Sequence, residues 1–331
     1  MTKILLIGLG RWGRNHLRNL RALGAEVFVA ESDPERLAFA GEAGVPADHL
    51  AAGHREFLTL VAAAVIVTPA PTHFTLAREC LLAGLDVFVE KPMTLLPEEA
   101  RELADLAART GRVLQVGHIF RHDPAVQWLH GALAAGRFGA VRLLRAHFCE
   151  FKRPRADSGL LFADVVHFVD LFHYLLGRAP ARVLAVTQDF LGQGQDDALL
   201  VSLEYPSASG TIWATIEMNC FFPGKVRDLL VVGSAGTVRC DLNNAPDRLV
   251  LFGHRHESTT DGIRAVPGDR QVVTVPPDEP LRAELAAFLA SLVTRHPAGA
   301  DAQAGCESIR VLTAAAESAR TRRSVELSPA G

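Results

Sequence analysis

Two kinds of apolar pattern divide the chain. In its first third, short and nearly unbroken apolar runs recur at Lys3-Ile4-Leu5-Leu6-Ile7, Glu26 to Ala30, Ala64 to Val67, Asp86 to Val89 and Val113 to Val116. Runs of this length suit strands buried on both faces, as in a parallel sheet. Helical segments separate them: about a dozen residues ending near Gly24, a stretch through about Leu82, and Pro97 to Arg109. Strands alternating with helices predict a doubly wound parallel sheet over residues 1–120. After a helix near Ala125 to Ala135, a strand from Val141 to Phe151 and a helix from about Leu160 to Leu176, the pattern changes to repeated extended segments. These are Arg182 to Asp189, Ala198 to Tyr205, Thr211 to Met218, Asp228 to Val232, Thr237 to Asp241 and Arg248 to Phe252. Leu199, Val201, Leu203 and Tyr205 alternate with Ser202 and Glu204, as in a sheet with one buried face. Short turns between the segments suit antiparallel neighbours. The other face includes Trp213 and is not uniformly polar. Helices near Leu281 to Val293 and Asp301 to Arg320 close the chain as scaffolding. The predicted fold is an α/β Rossmann domain, 1–120, followed by an α+β domain, 121–331, on a large, mainly antiparallel open sheet.

Composition agrees with two domains: 331 residues, 49% apolar and 21% charged. A net charge of −3 gives no electrostatic footprint for nucleic acid or an acidic membrane surface. No apolar run approaches the roughly 18 residues of a spanning helix. The residues after Met1 read as a strand and not as a secretion signal, so a cytoplasmic protein is expected. Cys80, Cys149, Cys220, Cys240 and Cys306 are odd in number and widely spaced, which reads as reduced packing residues with no metal site.

Gly8-Leu9-Gly10-Arg11-Trp12-Gly13 stands between the first predicted strand and the first predicted helix. That context makes a G-x-G-x-x-G informative. Gly8 allows the tight turn, Gly10 the approach of a pyrophosphate to backbone, and Gly13 the packing of helix on strand. Arg11 and Trp12 either cover the cofactor or, in the case of Trp12, pack. Glu31, at the end of the second strand, is placed to accept from both ribose hydroxyls of adenosine and to repel a 2′-phosphate, which favours NAD. Ser32 and Arg36 keep NADP open. Thr68 and Pro69 end the next strand on the nicotinamide side, and His73, at the start of the helix that follows, is grouped with the cofactor-binding residues. Glu90 and Lys91 end the strand Asp86 to Val89 with two opposite charges. Lysine occurs at only four positions, so its use at 91 points to a compact ammonium whose pKa can be shifted. A surface salt bridge is the alternative at this strand end.

The glycine loop, Thr68-Pro69, Glu90-Lys91-Pro92, and Val116-Gly117-His118-Ile119-Phe120-Arg121 with Pro124 together resemble the Gfo/Idh/MocA oxidoreductases, the group of glucose-fructose oxidoreductase and inositol dehydrogenase. The resemblance covers essentially the whole chain. It implies nicotinamide-dependent hydride transfer at a secondary alcohol or ketone of a sugar, cyclitol or nucleotide sugar. It also implies a cis bond at Lys91-Pro92 and a homodimer or homotetramer formed through the C-terminal sheet. Lys91 is expected to stabilise the reacting oxygen beside the nicotinamide, at the junction of the two domains, and His167 to act as acid and base. Asp164, His167 and Asp170 lie toward one side of their predicted helix. Asp164 stands three residues before His167, where the family usually has an aspartate four before, and here that position is Ala163. Arg121 matches a motif arginine and is expected to contact substrate. Lys152, Arg153 and Arg155 form a basic loop that either holds a carboxylate or phosphate of the substrate or is simply solvated. Two other readings remain: reduction of a keto sugar by the same residues, and a dinucleotide-sensing module without turnover.

Overall fold

The computed structural model describes residues 1–153, 158–243 and 247–327. The first strand, β1 (Lys3–Ile7), is followed by α1 (Arg11–Ala22), β2 (Glu26–Ala30), α2 (Pro34–Glu42), β3 (Leu50–Ala51), β4 (Ala63–Ile66), α3 (His73–Leu82), β5 (Asp86–Glu90), α4 (Pro97–Thr110) and β6 (Leu114–Gly117). The strands run parallel in the order β3-β2-β1-β4-β5-β6. Ile4, Leu5, Leu6, Val65, Ile66, Val87, Phe88 and Val89 are fully buried, as the apolar runs require. Strand order reverses between β1 and β4, and ligands of open α/β sheets bind beyond the carboxyl ends of the strands at such a point. The sequence pattern does not reveal α2, because its nine residues bury only Ala40. Its start is set chemically: Asp33 accepts from the amides of Glu35 and Arg36, and Pro34 occupies the first turn.

The chain continues with α5 (Pro124–Ala134), β7 (Val141–Glu150), α6 (Val166–Leu176), β8 (Arg182–Gln188), β9 (Ala198–Ser207), β10 (Gly210–Asn219), β11 (Lys225–Gly233), β12 (Thr237–Asp241), β13 (Leu249–Phe252), β14 (Arg255–Thr259), β15 (Gly262–Val266) and β16 (Arg270–Val273). It ends with α7 (Pro280–Thr294), β17 (Ala300–Asp301), α8 (Ala302–Thr321) and β18 (Val325–Glu326). Among the described residues one sheet has the order β16-β13-β12-β11-β7-β10-β9-β8-β18, antiparallel except for the parallel pair β7–β10. Leu199, Val201, Leu203, Tyr205, Ile212, Ala214, Ile216 and Met218 are buried on one face. There α6 meets β7 through Phe168, set edge-on to Phe148 at 6.0 Å between ring centroids. The opposite face carries a directly paired row, Val186, Leu200, Glu217, His147 and Asp228, across β8, β9, β10, β7 and β11. β14 and β15 form a separate hairpin; Arg255-His256-Glu257-Ser258-Thr259 has no apolar alternation from which a strand is predicted.

The chain forms two compact units, 1–122 with 279–309, and 123–278 with 310 onward. In the first, α7 packs Leu281, Leu285 and Phe288 into the same core as Ile4, Leu6 and Phe88. Phe88 and Phe288 meet edge-on at 5.6 Å. α7 ends at Arg295, in the left-handed region at φ 61°, and its guanidinium donates to both Asp86 oxygens and to the Gly111 carbonyl. β17 then pairs antiparallel with β6, covering that edge of the parallel sheet. Among the described residues no helix is long and apolar enough to cross a membrane.

Candidate active site

In the first unit the glycine loop is shaped by its neighbours. Gly8 turns the chain out of β1 at φ 97°, and a Cβ there would lie 2.9 Å from Thr68 Cγ2 and from the Val67 carbonyl oxygen. A Cβ at Gly13 would collide with the Gly8 carbonyl oxygen, so only glycine lets α1 lie this close to the loop. Gly10 differs, since the nearest atom to a Cβ there is Arg36 Nη1 at 3.9 Å, which leaves room for a ligand to approach. Gly10 is also the N-cap of α1, with no side chain capping it and no acidic residue in the first turn. Uncapped amides and the positive end of the helix dipole suit an anion. Together these residues fit the pyrophosphate of a dinucleotide. Glu31 is buried beside the loop, with Oε2 accepting from the Leu9 amide at 2.6 Å and Oε1 from the Asp33 amide at 3.0 Å. Arg36 pairs with Asp33 at 3.3 Å.

Thr68 and Pro69 follow β4, with the hydroxyls of Thr68 and Thr72 2.7 Å apart. His73 opens α3 fully buried, its Nδ1 2.8 Å from the Pro92 carbonyl and its Nε2 2.8 Å from that of Thr68. It thus ties together the turns after β4 and β5. Burial pushes its imidazole below the ordinary pKa, against a smaller upward pull from the two carbonyls.

β5 delivers Glu90 and half-buried Lys91, followed by a cis Lys91-Pro92 bond. Glu90 Oε1 accepts from Trp12 Nε1 at 2.6 Å and lies 2.9 Å from His16 Nε2, while Oε2 accepts from the Lys91 amide at 3.2 Å. Burial raises the Glu90 pKa, but His16, Lys91 and Trp12 outweigh it and hold the carboxyl below its ordinary range. Gly117 at the end of β6 makes room, since a Cβ there would lie 3.0 Å from Glu90 Cδ. Arg11 is exposed, and Arg121 is half-buried in a short 3₁₀ turn, Ile119–His122.

The second unit carries the other candidates. The segment before α6 is a π turn, Leu161–Val165, so Asp164 and His167 are not separated by regular α-helical geometry. Single π turns are rare and frequent at functional sites. Asp164 accepts from Lys152 Nζ at 2.8 Å. Lys152 Nζ also lies 5.1 Å from the centre of the Phe148 ring, with the Arg227 guanidinium 4.2 Å from it. The His167 ring is 6.4 Å from that of Phe148, and Asp170 is buried one turn further along α6. Arg153 is exposed, and Arg155 lies outside the described residues.

The first unit therefore gathers Gly8, Gly10, Gly13, Trp12, Glu31, Thr68, His73, Glu90 and Lys91, and the second gathers Lys152, Asp164 and His167. His16 and Phe148 escaped the sequence reading. The available signal for His16 is its place three residues after Gly13 and one helical turn after Trp12. Among the described residues no group of three or more histidines, cysteines and acids is placed to hold a metal ion. Burial pushes the Cys80 thiol to about 12 and that of Cys306 to about 11, which leaves little thiolate at neutral pH.

Residues 2–118 match the family model for the Gfo/Idh/MocA oxidoreductase family, NAD-binding Rossmann fold, and residues 131–327 match that for the C-terminal alpha/beta domain of the same family. The chain is 32% identical over 316 residues to UDP-N-acetylglucosamine 3-dehydrogenase of Acidithiobacillus ferrooxidans, covering 94% of each chain. It is 30% identical over 231 residues to scyllo-inositol 2-dehydrogenase (NAD(+)) of Bacillus subtilis, covering 65% of this chain and 67% of the relative. Its fold superposes on a solved structure of the Acidithiobacillus ferrooxidans enzyme with a TM-score of 0.82 at 26% identity, covering 96% and 97% of the two chains.

Proposed function

The chain belongs to the Gfo/Idh/MocA oxidoreductase family, and from that premise we propose that this NAD-binding dehydrogenase oxidises a secondary hydroxyl of a nucleotide sugar, with Lys91 and His167 as the groups that act on the reacting oxygen. Similarity along 94% of both chains to an enzyme named for UDP-N-acetylglucosamine favours a nucleotide sugar over a cyclitol, since the match to the inositol enzyme covers about two thirds of each chain. Bound NAD supplies the hydride acceptor. Gly8, Gly10 and Gly13 hold its pyrophosphate and Glu31 its adenosine ribose, while Thr68, Pro69 and His73 set the turn on the nicotinamide side. Lys91 donates to the reacting oxygen and stabilises the negative charge that develops there. His167 takes the hydroxyl proton, with Asp164 and Lys152 as its charged neighbours along the chain. Arg121, Lys152, Arg153 and Arg155 are the cations that would meet the phosphates of the substrate. A cytoplasmic location fits this cofactor and substrate.

The observation that carries the reading is Lys91 itself: an ammonium at the carboxyl end of a buried strand, beside a buried carboxylate and across the sheet's reversal point from a glycine loop open to a dinucleotide. The test is nicotinamide reduction followed by absorbance with NAD and UDP-N-acetylglucosamine, related nucleotide sugars, inositols and free sugars. Turnover with a nucleotide sugar is expected, falling at least about a hundredfold in Lys91→Met with NAD affinity kept. Near-normal turnover in Lys91→Met, or an unchanged pH profile in His167→Ala, sinks the assignment.

The same reading includes a homo-oligomer formed through the outer face of the second unit's sheet. Val186, Leu200 and Trp213 are each more than half exposed there. On the same face His147 lies 3.7 Å from Glu217 and 3.5 Å from Asp228. An apolar stripe bordered by carboxylates and a histidine that contacts them suits a second copy of itself.

A further inference from the structure

Behind the turn that carries Lys91 lies a side chain with no part in the proposed chemistry. His16 is wholly buried on α1, one helical turn after Trp12. Its ring stands edge-on to Trp12 at 5.9 Å and to Phe88 at 5.6 Å. Its Nε2 is 2.9 Å from Glu90 Oε1, the same oxygen that accepts from Trp12 Nε1. An ionised carboxylate only accepts, so Nε2 carries the hydrogen of this contact. Two donors from α1 thus converge on one oxygen of Glu90, and the Lys91 amide holds the other.

A carboxylate buried without partners takes up a proton. Here the partners reverse that tendency, His16 ahead of Lys91 and Trp12. Among the described residues, the titratable groups that act on Glu90 include His16 from α1, Lys91 from the turn after β5, and His73 from α3. His73 is already occupied by two backbone carbonyls, whereas His16 bonds the carboxylate itself.

We propose that His16 is a positioning residue for Lys91: by donating to Glu90 it fixes a negative charge at a set place beside the ammonium, and so governs how firmly Lys91 keeps its proton. The proposal rests on the reading of Lys91 as the group that meets the reacting oxygen, where a charged ammonium is needed to stabilise developing alkoxide. The contact holds the carboxylate of the residue adjacent to Lys91, and the other oxygen of that carboxylate accepts from the Lys91 amide.

The chain has only four lysines, Lys3, Lys91, Lys152 and Lys225. Reductive methylation with ¹³C formaldehyde therefore gives four side-chain signals, with that of Lys91 identified by its loss in Lys91→Arg. The methylated ammonium keeps its charge and titrates by NMR without any substrate. In Glu90→Gln, and in His16→Phe, which keeps a ring and loses the donor, the Lys91 pKa is expected to fall by about one unit. In His16→Gln, which keeps an N–H donor, it is expected to stay close to the wild-type value. An unchanged Lys91 pKa in folded, NAD-binding His16→Phe overturns the proposal. Should that variant fail to fold, an unchanged value in Glu90→Gln overturns it instead. Because the titration needs no turnover, failure of the assignment of Lys91 to the reacting oxygen shows separately, as near-normal turnover in Lys91→Met.

Discussion

At Glu31 one carboxylate is asked to do two things. Its oxygens already accept from the amides of Leu9 and Asp33, so the acid braces the glycine loop as well as facing the place expected for adenosine. Hydrogen bonds to a charged group contribute about 1.5–3 kcal/mol each, enough for a tenfold or larger change in binding. Glu31→Ser is expected to weaken NAD at least about tenfold while NADP loses much less, since repulsion of a 2′-phosphate disappears with the charge. Fluorescence titration with both dinucleotides measures this, and an unaltered preference for NAD counts against the role. The sequence made Glu31 visible because it follows a strand and stands at the usual distance from a glycine loop. It hid His16, whose meaning depends on Trp12 and Glu90 converging from a helix and a strand more than seventy residues apart. A histidine among the arginines and asparagines of α1 reads as one more polar helical residue, and the contact to Glu90 is what distinguishes it.

Elements show the same division between what pattern reveals and what packing decides. Five of the six parallel strands were readable because each is apolar on both faces, whereas the two-residue β3 is too short to show a pattern and α2 and the β14–β15 hairpin lack the periodicity that would announce them. The π turn before α6 was hidden as well, because residue spacing in sequence assumes a regular helix. α7 was readable as a helix, but its place in the core with Phe88 was not. What holds its end is Arg295, whose guanidinium is shared between Asp86 and Gly111. Asp86 is nearly fully buried, and among the described residues removing its cation leaves it the Val113 amide. Breaking such a pair costs more than the pair is worth, because a buried charge is left behind. Arg295→Ala is expected to lower stability by about 2–4 kcal/mol, read from urea unfolding, while Arg295→Lys recovers part of it. A loss below about 0.5 kcal/mol would show that water serves Asp86 as well as arginine does.

For the whole molecule, the second unit's sheet presents the clearest unanswered surface. Its outer rows were partly foreseen from Trp213 standing among polar neighbours, but the alignment of Val186 with Leu200, and of Leu200 with Glu217 and His147, depends on strand register that no local pattern fixes. Leu200→Asp is expected to turn the proposed homo-oligomer into a species near the 35.7 kDa of one chain, as light scattering would show. A wild-type protein already of that mass removes the oligomer from the account. The division of the chain between its units has a consequence of another kind. The parallel sheet of the first unit is written at the start of the chain, yet its core lacks α7 and its edge lacks β17 until residues 279–309 arrive. More than 150 residues of the second unit come between. At about 5–20 residues per second, a ribosome leaves that sheet incomplete for on the order of ten seconds, with apolar strands already made and nothing yet to close them. The dinucleotide-binding half, first to be synthesised, is thus the half most in need of a chaperone's shelter while the rest of the protein is born.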